Sequence, residues 1–178
     1  WARGPARDAC AVYVLGDLYD WWIGDDQLDD PFAARIAAAL RGVTAAGVPV
    51  HVMQGNRDFL YGKRFEDATG TALLPEQRVV DVNGVPTVLL HGDELCTSDL
   101  DYQRYRARMR TPETRRRLLA LPAQSARLAL AGLRDEFLPV HSGNAHFTAQ
   151  GGRRRKIGVI HAEYRAAGGA VGAGLCGV

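Results

Sequence analysis

Three short segments of the sequence end in side chains that can bind a metal ion. Each segment is a Val-rich apolar run that ends beside a glycine: AVYVLGD at 11–17, VPVHVMQGN at 48–56 and VPTVLLHGD at 85–93. The polar groups at these ends are the carboxylate of Asp17, the amide of Asn56 and the imidazole of His91. A mixed set of oxygen and imidazole ligands suits Mn²⁺, Fe or Mg²⁺ better than thiol-preferring metals. A single acid after a strand is commonly a helix cap, but three such endings together predict a metal site.

Asp17 is the predicted centre of this site. One carboxylate can bridge two cations through its two oxygens, and two cations about 3.5 to 4 Å apart can hold a hydroxide for in-line attack on phosphorus. Asp20, three residues further on, is expected to support the site rather than to bind metal.

The elements that must position these groups predict an α/β fold. Continuous β-branched runs bounded by Gly are typical of buried parallel strands. Pro31 and Gly47 mark the ends of a predicted helix between the first two strands, which gives a βαβ unit. A shorter helix that closes at Gly70 is predicted between Asp58 and Thr71, and VVDVNGVPTVLL predicts a hairpin that turns at Asn83-Gly84. Since ligands bind outside the carboxyl ends of strands in open α/β sheets, the three polar groups are expected at one sheet edge.

Residues 99–134 have a different character. Nine arginines face only three acids and alternate with leucines, which predicts basic amphipathic helices interrupted near Pro112 and Pro122. Two interpretations remain open at this point. The helices could lie on a membrane surface, where each arginine adds on the order of 1 kcal/mol of attraction to anionic lipid, or they could present a solvated face while covering the sheet.

Composition excludes several classes of protein. With 178 residues, 47% hydrophobic and 24% charged, the chain suits one globular domain with a sizeable core. No apolar run approaches the roughly 18 residues of a membrane span. A net charge of +2 is too small to indicate a nucleic-acid partner, so none is expected. Three widely separated cysteines without a CxxC pair predict free thiols and a cytosolic location.

The strings GDLYD, GNRD and HGD resemble the motifs of the calcineurin-like metallophosphoesterases. In their longer forms GDLYDWWIGDD, GNRDFLYGKRF and HGDELCTSD, they are similar to one branch, the UDP-2,3-diacylglucosamine pyrophosphohydrolases of lipid A biosynthesis. The resemblance covers residues 9–134. It implies part of a calcineurin-like metallophosphoesterase sandwich of α/β class in residues 1–134, with a basic helical insertion or cap at about 99–134.

The resemblance also implies an activity. It is the metal-dependent hydrolysis of the pyrophosphate bond of UDP-2,3-diacylglucosamine to 2,3-diacylglucosamine 1-phosphate (lipid X) and UMP, by a peripheral enzyme on the cytoplasmic face of the inner membrane. Asp17 would bridge two Mn²⁺ ions, and Asn56 and His91 would bind the second of them. Asp17, Asn56 and Arg57 would be catalytic, and Asn56, Arg57 and Asp99 would contact the substrate.

Two of these residues have plainer alternatives. Arg57 stands where most of the superfamily has His, and its planar charged fork suits a pyrophosphate. An ordinary surface ion pair with Asp58 is the alternative, and Asp58 itself is expected to orient a neighbour rather than to bind metal. Asp99, taken alone, would more often cap the helix that follows it.

Two motifs of the family are not found in the sequence. D-x-H does not precede Asp17, and G-H-x-H does not follow, since VIHAEY at 159–164 has Ala162, Glu163 and Tyr164 where ligands would be needed. Asp17, Asn56 and His91 alone are expected to bind one metal weakly at best.

Residues 135–178 are rich in Gly, Ala and Arg, which predicts a tail with KIGVIH as its candidate strand. The hypothesis is a truncated or frame-shifted copy of the enzyme. The alternative function is a catalytically impaired remnant that binds lipid or anions, and a different phosphodiesterase of the superfamily is a third possibility.

Overall fold

The computed structural model describes residues 1–82, 84–126 and 128–130 in full, and it describes the backbone of two further strands at 157–162 and 173–177. These residues form a mixed α/β structure with two sheets. The strands are β1 (Ala11–Val14), β2 (Val50–Val52), β3 (Ala72–Leu73), β4 (Gln77–Val82), β5 (Val85–Leu90), β6 (Ile157–Ala162) and β7 (Ala173–Gly177). Four α-helices lie wholly within the described residues: α1 (Pro31–Thr44), α2 (Lys63–Thr69), α3 (Leu100–Met109) and α4 (Pro112–Leu119).

The main sheet has the order β3-β2-β1-β6-β7 and places β1 at its centre. β1 is parallel to β2, with Val12 opposite Val50 and Val14 opposite Val52, and all four valines are buried. β6 is parallel to β1 on the other side, and β7 is antiparallel to β6. The β1-α1-β2 segment therefore confirms the predicted βαβ unit.

α1 begins and ends for local reasons. The side chain of Asp30 accepts hydrogen bonds from the backbone N–H groups of Phe32 and Ala33 at 2.9 and 3.0 Å, and Pro31 occupies the first turn, where its missing N–H costs nothing. The helix ends at Thr44, three residues before Gly47, whose φ of 86° allows the chain to turn towards β2.

An aromatic cluster holds α2 against the segment that follows β1. Tyr19, Trp22, Tyr61 and Phe65 are all buried, with ring centroids 4.3 to 6.4 Å apart. Burial of these large rings stabilises the core of the domain. The second helix is shorter than the predicted span, running from Lys63 to Thr69, and it closes at Gly70 in the left-handed conformation as expected.

The prediction that 85–93 forms a buried parallel strand is wrong. β5 pairs antiparallel with β4 in a separate two-stranded sheet, where Val79, Val85 and Val88 are each more than half exposed. The hairpin prediction is confirmed, because Val82 lies opposite Val85 and leaves a two-residue turn. Asn83 of that turn lies outside the described residues. A Val-rich run indicates a strand, but it does not say to which sheet the strand belongs.

The basic segment is helical and breaks near both prolines. α3 ends at Met109 and α4 begins at Pro112, and the chain is helical again at 123–126 and 128–130, after Pro122. Tyr102, Tyr105 and Leu118 are buried in the core cluster, so α3 and α4 each pack part of one face against the core. That the segment forms a cap stays a prediction. The predicted boundary at residue 134 lies outside the described residues. Of the predicted 135–178 tail, the structure describes two strands.

Those two strands bear on the tail prediction. β6 contains most of the candidate strand KIGVIH, which confirms that element. β7 was not expected from its Gly- and Ala-rich sequence. Across the described residues, no helix is both long and apolar enough to cross a bilayer.

Candidate metal and phosphate site

The loops that follow β1 and β2 touch through their glycines. Gly16 has a φ of 91°, and a Cβ added there would lie only 2.7 Å from Gly55 Cα. A Cβ on Gly55 would collide with the backbone nitrogen and the Oδ1 atom of Asp17. Asp17 itself has a φ of 53°, which is uncommon for a residue with a side chain. Two glycines therefore let the loops approach closely enough to bring Asp17 and Asn56 together.

The amide of Asn56 lies against the Asp17 carboxylate. Written with its NH₂ towards Asp17, the amide donates to Oδ1 and Oδ2 at 2.9 and 2.8 Å. With its oxygen turned towards Asp17 instead, three oxygens would gather at one point, which is the arrangement that a bound cation stabilises and that repels in its absence. An amide oxygen turned towards Asp17 is therefore the orientation expected when a cation is bound.

His91 reaches the same point from the other sheet. Its Nδ1 lies 2.7 Å from the carbonyl oxygen of Leu15, and its Nε2 lies 3.8 Å from Asp17 Oδ1. Because a carbonyl only accepts, Nδ1 carries the hydrogen when the imidazole is neutral, and Nε2 keeps a lone pair that faces Asp17. The expectation that all three groups follow parallel strands of one sheet is wrong for His91, which follows a strand of the hairpin.

The donor set of Asp17, Asn56 and His91 fits one hard or borderline cation. It combines two oxygen ligands with an imidazole nitrogen whose other ring nitrogen is anchored to backbone, as metal-binding histidines usually are. Within the described part of the chain, no cluster of three or more His, Cys, Asp or Glu residues could hold a metal. The proposed donor set has two residues of these types, Asp17 and His91, and its third member is the amide of Asn56.

Arg57 contacts both oxygens of the Asp17 carboxylate. Its backbone N–H donates to Asp17 Oδ1 at 3.1 Å, and its Nε lies 3.6 Å from Asp17 Oδ2. Its Nη1 lies 3.3 Å from Asp20 Oδ1, whose side chain is 81% exposed. The guanidinium thus lies between a largely buried carboxylate, Asp17, and an exposed one, Asp20. Asp20 contacts Arg57, and its expected supporting role stays a prediction.

Asp58 is a buried hub behind the site. Its carboxylate, with no exposed surface, accepts hydrogen bonds from the backbone N–H groups of Asp17, Leu18, Tyr19 and Gly55 and from the hydroxyl of Tyr61. Burial raises the pKa of Asp58, and the nearby Asp17 raises it further, while the hydrogen bonds oppose this shift. The residue orients its neighbours, as the sequence predicted.

Burial also raises the pKa of Asp17, and the charges of His91 and Arg57 act in the opposite direction. A cation bound at this carboxylate would favour its ionised form in the same way as Arg57 does.

Asp99 begins α3. Its carboxylate accepts the backbone N–H of Tyr102 at 2.9 Å, which is the helix-capping position that its sequence context favoured. The contact of Asp99 with substrate stays a prediction.

Four charged residues near the site were not singled out in the sequence. Asp93, two residues after His91, is paired with Arg106 and Arg110 of the basic segment, and Arg115 reaches the loop after β2. Helical spacing offered one signal, because Arg106 and Arg110 are four residues apart and share a face. With nine arginines in the segment, the sequence did not indicate which of them point towards the core.

Curated hydrolases from several bacteria are similar in sequence to most of this chain. The chain is 43% identical over 143 residues to the UDP-2,3-diacylglucosamine hydrolase of Marinobacter nauticus, covering 80% of this chain and 58% of that protein. It is 45% identical over 140 residues to the hydrolase of the same name from Yersinia enterocolitica, covering 79% of this chain and 58% of the relative. It is 47% identical over 119 residues to the hydrolase of the same name from Escherichia fergusonii, covering 67% of this chain and 49% of the relative.

Over the matched residues, the chain is homologous to the UDP-2,3-diacylglucosamine hydrolases. This agrees with the resemblance carried by the GDLYD, GNRD and HGD strings. The chain spans about half the length of the curated hydrolases it matches. No protein-family model matches it.

Proposed function

We propose that this chain carries the catalytic loops of a metal-dependent hydrolase that cleaves the pyrophosphate bond of UDP-2,3-diacylglucosamine, giving 2,3-diacylglucosamine 1-phosphate and UMP. The observation that carries the proposal is the convergence of Asp17, Asn56 and His91 beside the guanidinium of Arg57. The homologous hydrolases are named for this substrate, which supports the same substrate here.

Asp17, Asn56 and His91 would hold the metal, for which Mn²⁺ is the proposed ion because the donors are mixed oxygen and nitrogen. A bound cation would lower the pKa of a water ligand and neutralise charge on the phosphate oxygens. His91 keeps its Nε2 lone pair available because Leu15 accepts the hydrogen of Nδ1. Asp58 holds the backbone of Asp17 and of Gly55, so both loops enter the site in fixed positions.

Arg57 would bind the pyrophosphate. Its side chain is partly buried, so it is oriented before a substrate arrives, and its fork of donors matches two phosphate oxygens. Hydrolysis forms a bond from a water oxygen to phosphorus and breaks the bond from that phosphorus to the bridging oxygen. Arg57 would stabilise the negative charge that the leaving phosphate gains. Asn56 and Asp99 are the other proposed contacts to substrate.

A membrane surface is the proposed place of action, on the cytoplasmic face of the inner membrane. The end of α4 exposes Arg116, Arg117 and Leu119, a combination of charge and apolar surface that suits anionic lipid. A substrate with two acyl chains resides in that surface, so peripheral binding would bring the site to it.

The test is release of UMP from UDP-2,3-diacylglucosamine by the purified chain with added Mn²⁺. Asp17→Asn should abolish release, since it removes the central ligand, whereas Asp26→Asn, at a side chain that is 97% exposed, should leave the rate unchanged. Mn²⁺ binding is measured separately by the loss of the free-ion electron paramagnetic resonance signal. If the lipid nucleotide binds without any release of UMP, the hydrolase proposal fails and the non-catalytic remnant is the better description.

A further inference from the structure

Arg110 of the basic segment is turned inward, towards the catalytic loops. Its Nη2 donates to the carbonyl oxygen of Gly55 at 3.0 Å, and its guanidinium carbon lies 5.7 Å from the centre of the Phe59 ring. Its side chain is only 13% exposed. Both contacts are on the asparagine loop, defined here as residues 54–59, which carries Asn56 and Arg57.

The same guanidinium joins this loop to two other segments. Arg110 Nη1 lies 3.1 Å from Glu76, at the start of the hairpin, and Nη2 lies 3.7 Å from Asp93, two residues after His91. Arg106 repeats the pattern, with Nε 2.9 Å from Asp93 and Nη2 3.0 Å from Glu76. Two arginines one helical turn apart thus form a charge-balanced cluster with two acids from different loops.

A second arginine reaches the asparagine loop from α4. Arg115 Nη1 donates to Gln54 Oε1 at 3.1 Å and to the carbonyl oxygen of Phe59. These two acceptors are the first and last residues of the loop. Arg115 is partly buried, and burial, followed by the charge of Arg110, lowers its pKa. An arginine that leaves water for a backbone carbonyl needs that hydrogen bond, because an unpaired buried donor is costly.

These contacts matter because the metal ligands come from two different sheets. Asn56 follows a strand of the main sheet, whereas His91 follows the hairpin, and no β-ladder pairs the two sheets among the described residues. Arg110 contacts the asparagine loop at Gly55, and it also contacts Asp93, the second residue after His91. Its side chain therefore connects the two segments that carry Asn56 and His91.

We propose that Arg110, assisted by Arg115, is a positioning residue that sets the distance between Asn56 and His91 and so sets the affinity of the site for metal. This inference rests on the proposed function. It assigns the inward arginines of the helical segment to the geometry of the site, while the outward arginines, such as Arg104 with its exposed pair to Asp101, have no part in it. Arginine suits this task because its planar fork can address several acceptors at once, which a lysine cannot do.

The experiment compares the full chain with Arg110→Gln, Arg110→Lys and Arg104→Gln. Hydrogen–deuterium exchange of the peptide containing residues 54–59 is measured without metal, and Mn²⁺ affinity is measured by electron paramagnetic resonance. Arg110→Gln should speed exchange in that peptide and weaken Mn²⁺ binding by about tenfold or more, the usual effect of removing support behind a metal ligand. Arg110→Lys should not restore either quantity, and Arg104→Gln should match the unchanged chain in both.

Equal exchange and equal Mn²⁺ affinity in Arg110→Gln and Arg104→Gln would overturn the proposal. If the unchanged chain binds no Mn²⁺, the proposed function fails, and the exchange comparison still decides whether Arg110 positions the loop. Should Arg110→Gln fail to fold, Arg115→Gln takes its place, because it removes contacts to Gln54 and Phe59 while leaving the cluster of Glu76 and Asp93 intact. Unaltered exchange in folded Arg115→Gln would then count against the proposal.

Discussion

The hydroxyl of Tyr61 donates a hydrogen bond of 2.5 Å to Asp58, whose carboxylate also accepts four backbone N–H groups from the loops that follow β1 and β2. Burial and the negative charge of Asp58 raise the pKa of Tyr61 well above its ordinary value, so the phenol remains a donor. This pair links the aromatic cluster to the backbone of Asp17 and Gly55, and it therefore ties both loops to the core of the domain.

Replacing Tyr61 should therefore lower the free energy of unfolding less than replacing Asp58 does. Tyr61→Phe removes one donor and keeps the ring packing, which should lower the free energy of unfolding by about 1 to 2 kcal/mol. Asp58→Asn turns an NH₂ group towards backbone donors and should cost roughly 3 kcal/mol or more. Urea midpoints with their m-values measure both, and a cost below about 1 kcal/mol for Asp58→Asn would show that the hub does not stabilise the loops.

Gly55→Ala should disrupt the site, because a Cβ at this position meets Asp17. We expect loss of Mn²⁺ binding together with a destabilisation of about 2 kcal/mol or more. Gly42→Ala is the matched control, since Gly42 lies within α1 and an added Cβ there makes no contact closer than 3.9 Å. That control should stabilise the chain by about 0.5 to 1 kcal/mol and leave metal binding unchanged. Similar effects from both changes would contradict the close approach of the two loops.

Arg57→Lys should reduce hydrolysis even though the charge is kept. A lysine cannot offer two parallel donors to a pyrophosphate, so kcat/KM should fall by about 10 to 100-fold. Asp20→Asn removes the exposed partner of Arg57 and should change the rate by less than about threefold, because exposed ion pairs contribute little. Rates of UMP release decide the matter, and a fully active Arg57→Lys variant would exclude a bidentate role.

Asp93 should make the free energy of unfolding depend on pH in the acid range. Burial alone would raise the pKa of Asp93, but the hydrogen bond from Tyr102 and the charges of His91, Arg106 and Arg110 lower it below its ordinary value. A carboxyl whose folded-state pKa is lowered contributes stability above its unfolded-state pKa and loses it as pH falls through the folded-state value. The contribution should be complete above about pH 4 and disappear below that.

The variant that tests this is Asp93→Asn, compared with the unchanged chain by urea unfolding from pH 7 to pH 3. The difference in unfolding free energy should be largest at neutral pH and shrink as the acid range is entered. Tyr102→Phe, which removes the 2.7 Å hydrogen bond to Asp93, should show a smaller difference of the same pH dependence. A gap that stays constant across the pH range would mean that the carboxylate charge is not what stabilises the cluster.

The fold was predictable where the pattern is local. The valine runs predicted β1 and β2, Asp30 and Pro31 marked the start of α1, and Gly70 marked the end of α2. The assignment of the 85–93 strand to the parallel sheet failed, because apolar periodicity reports that a segment is extended and says nothing about its neighbour. β7 was missed because its Gly- and Ala-rich sequence has weak strand propensity and depends on pairing with β6.

The amino-acid sequence by itself determined the chemistry that this chain can offer: a carboxylate, an amide and an imidazole, each next to a glycine, and a guanidinium that follows the amide. Tertiary structure decided which of the many arginines turn inward, and that His91 meets Asp17 from a different sheet. The reason is physical. Turn and strand preferences act over a few residues, whereas the partners of Arg110 at Gly55, Glu76 and Asp93 are set by packing between segments far apart in the chain.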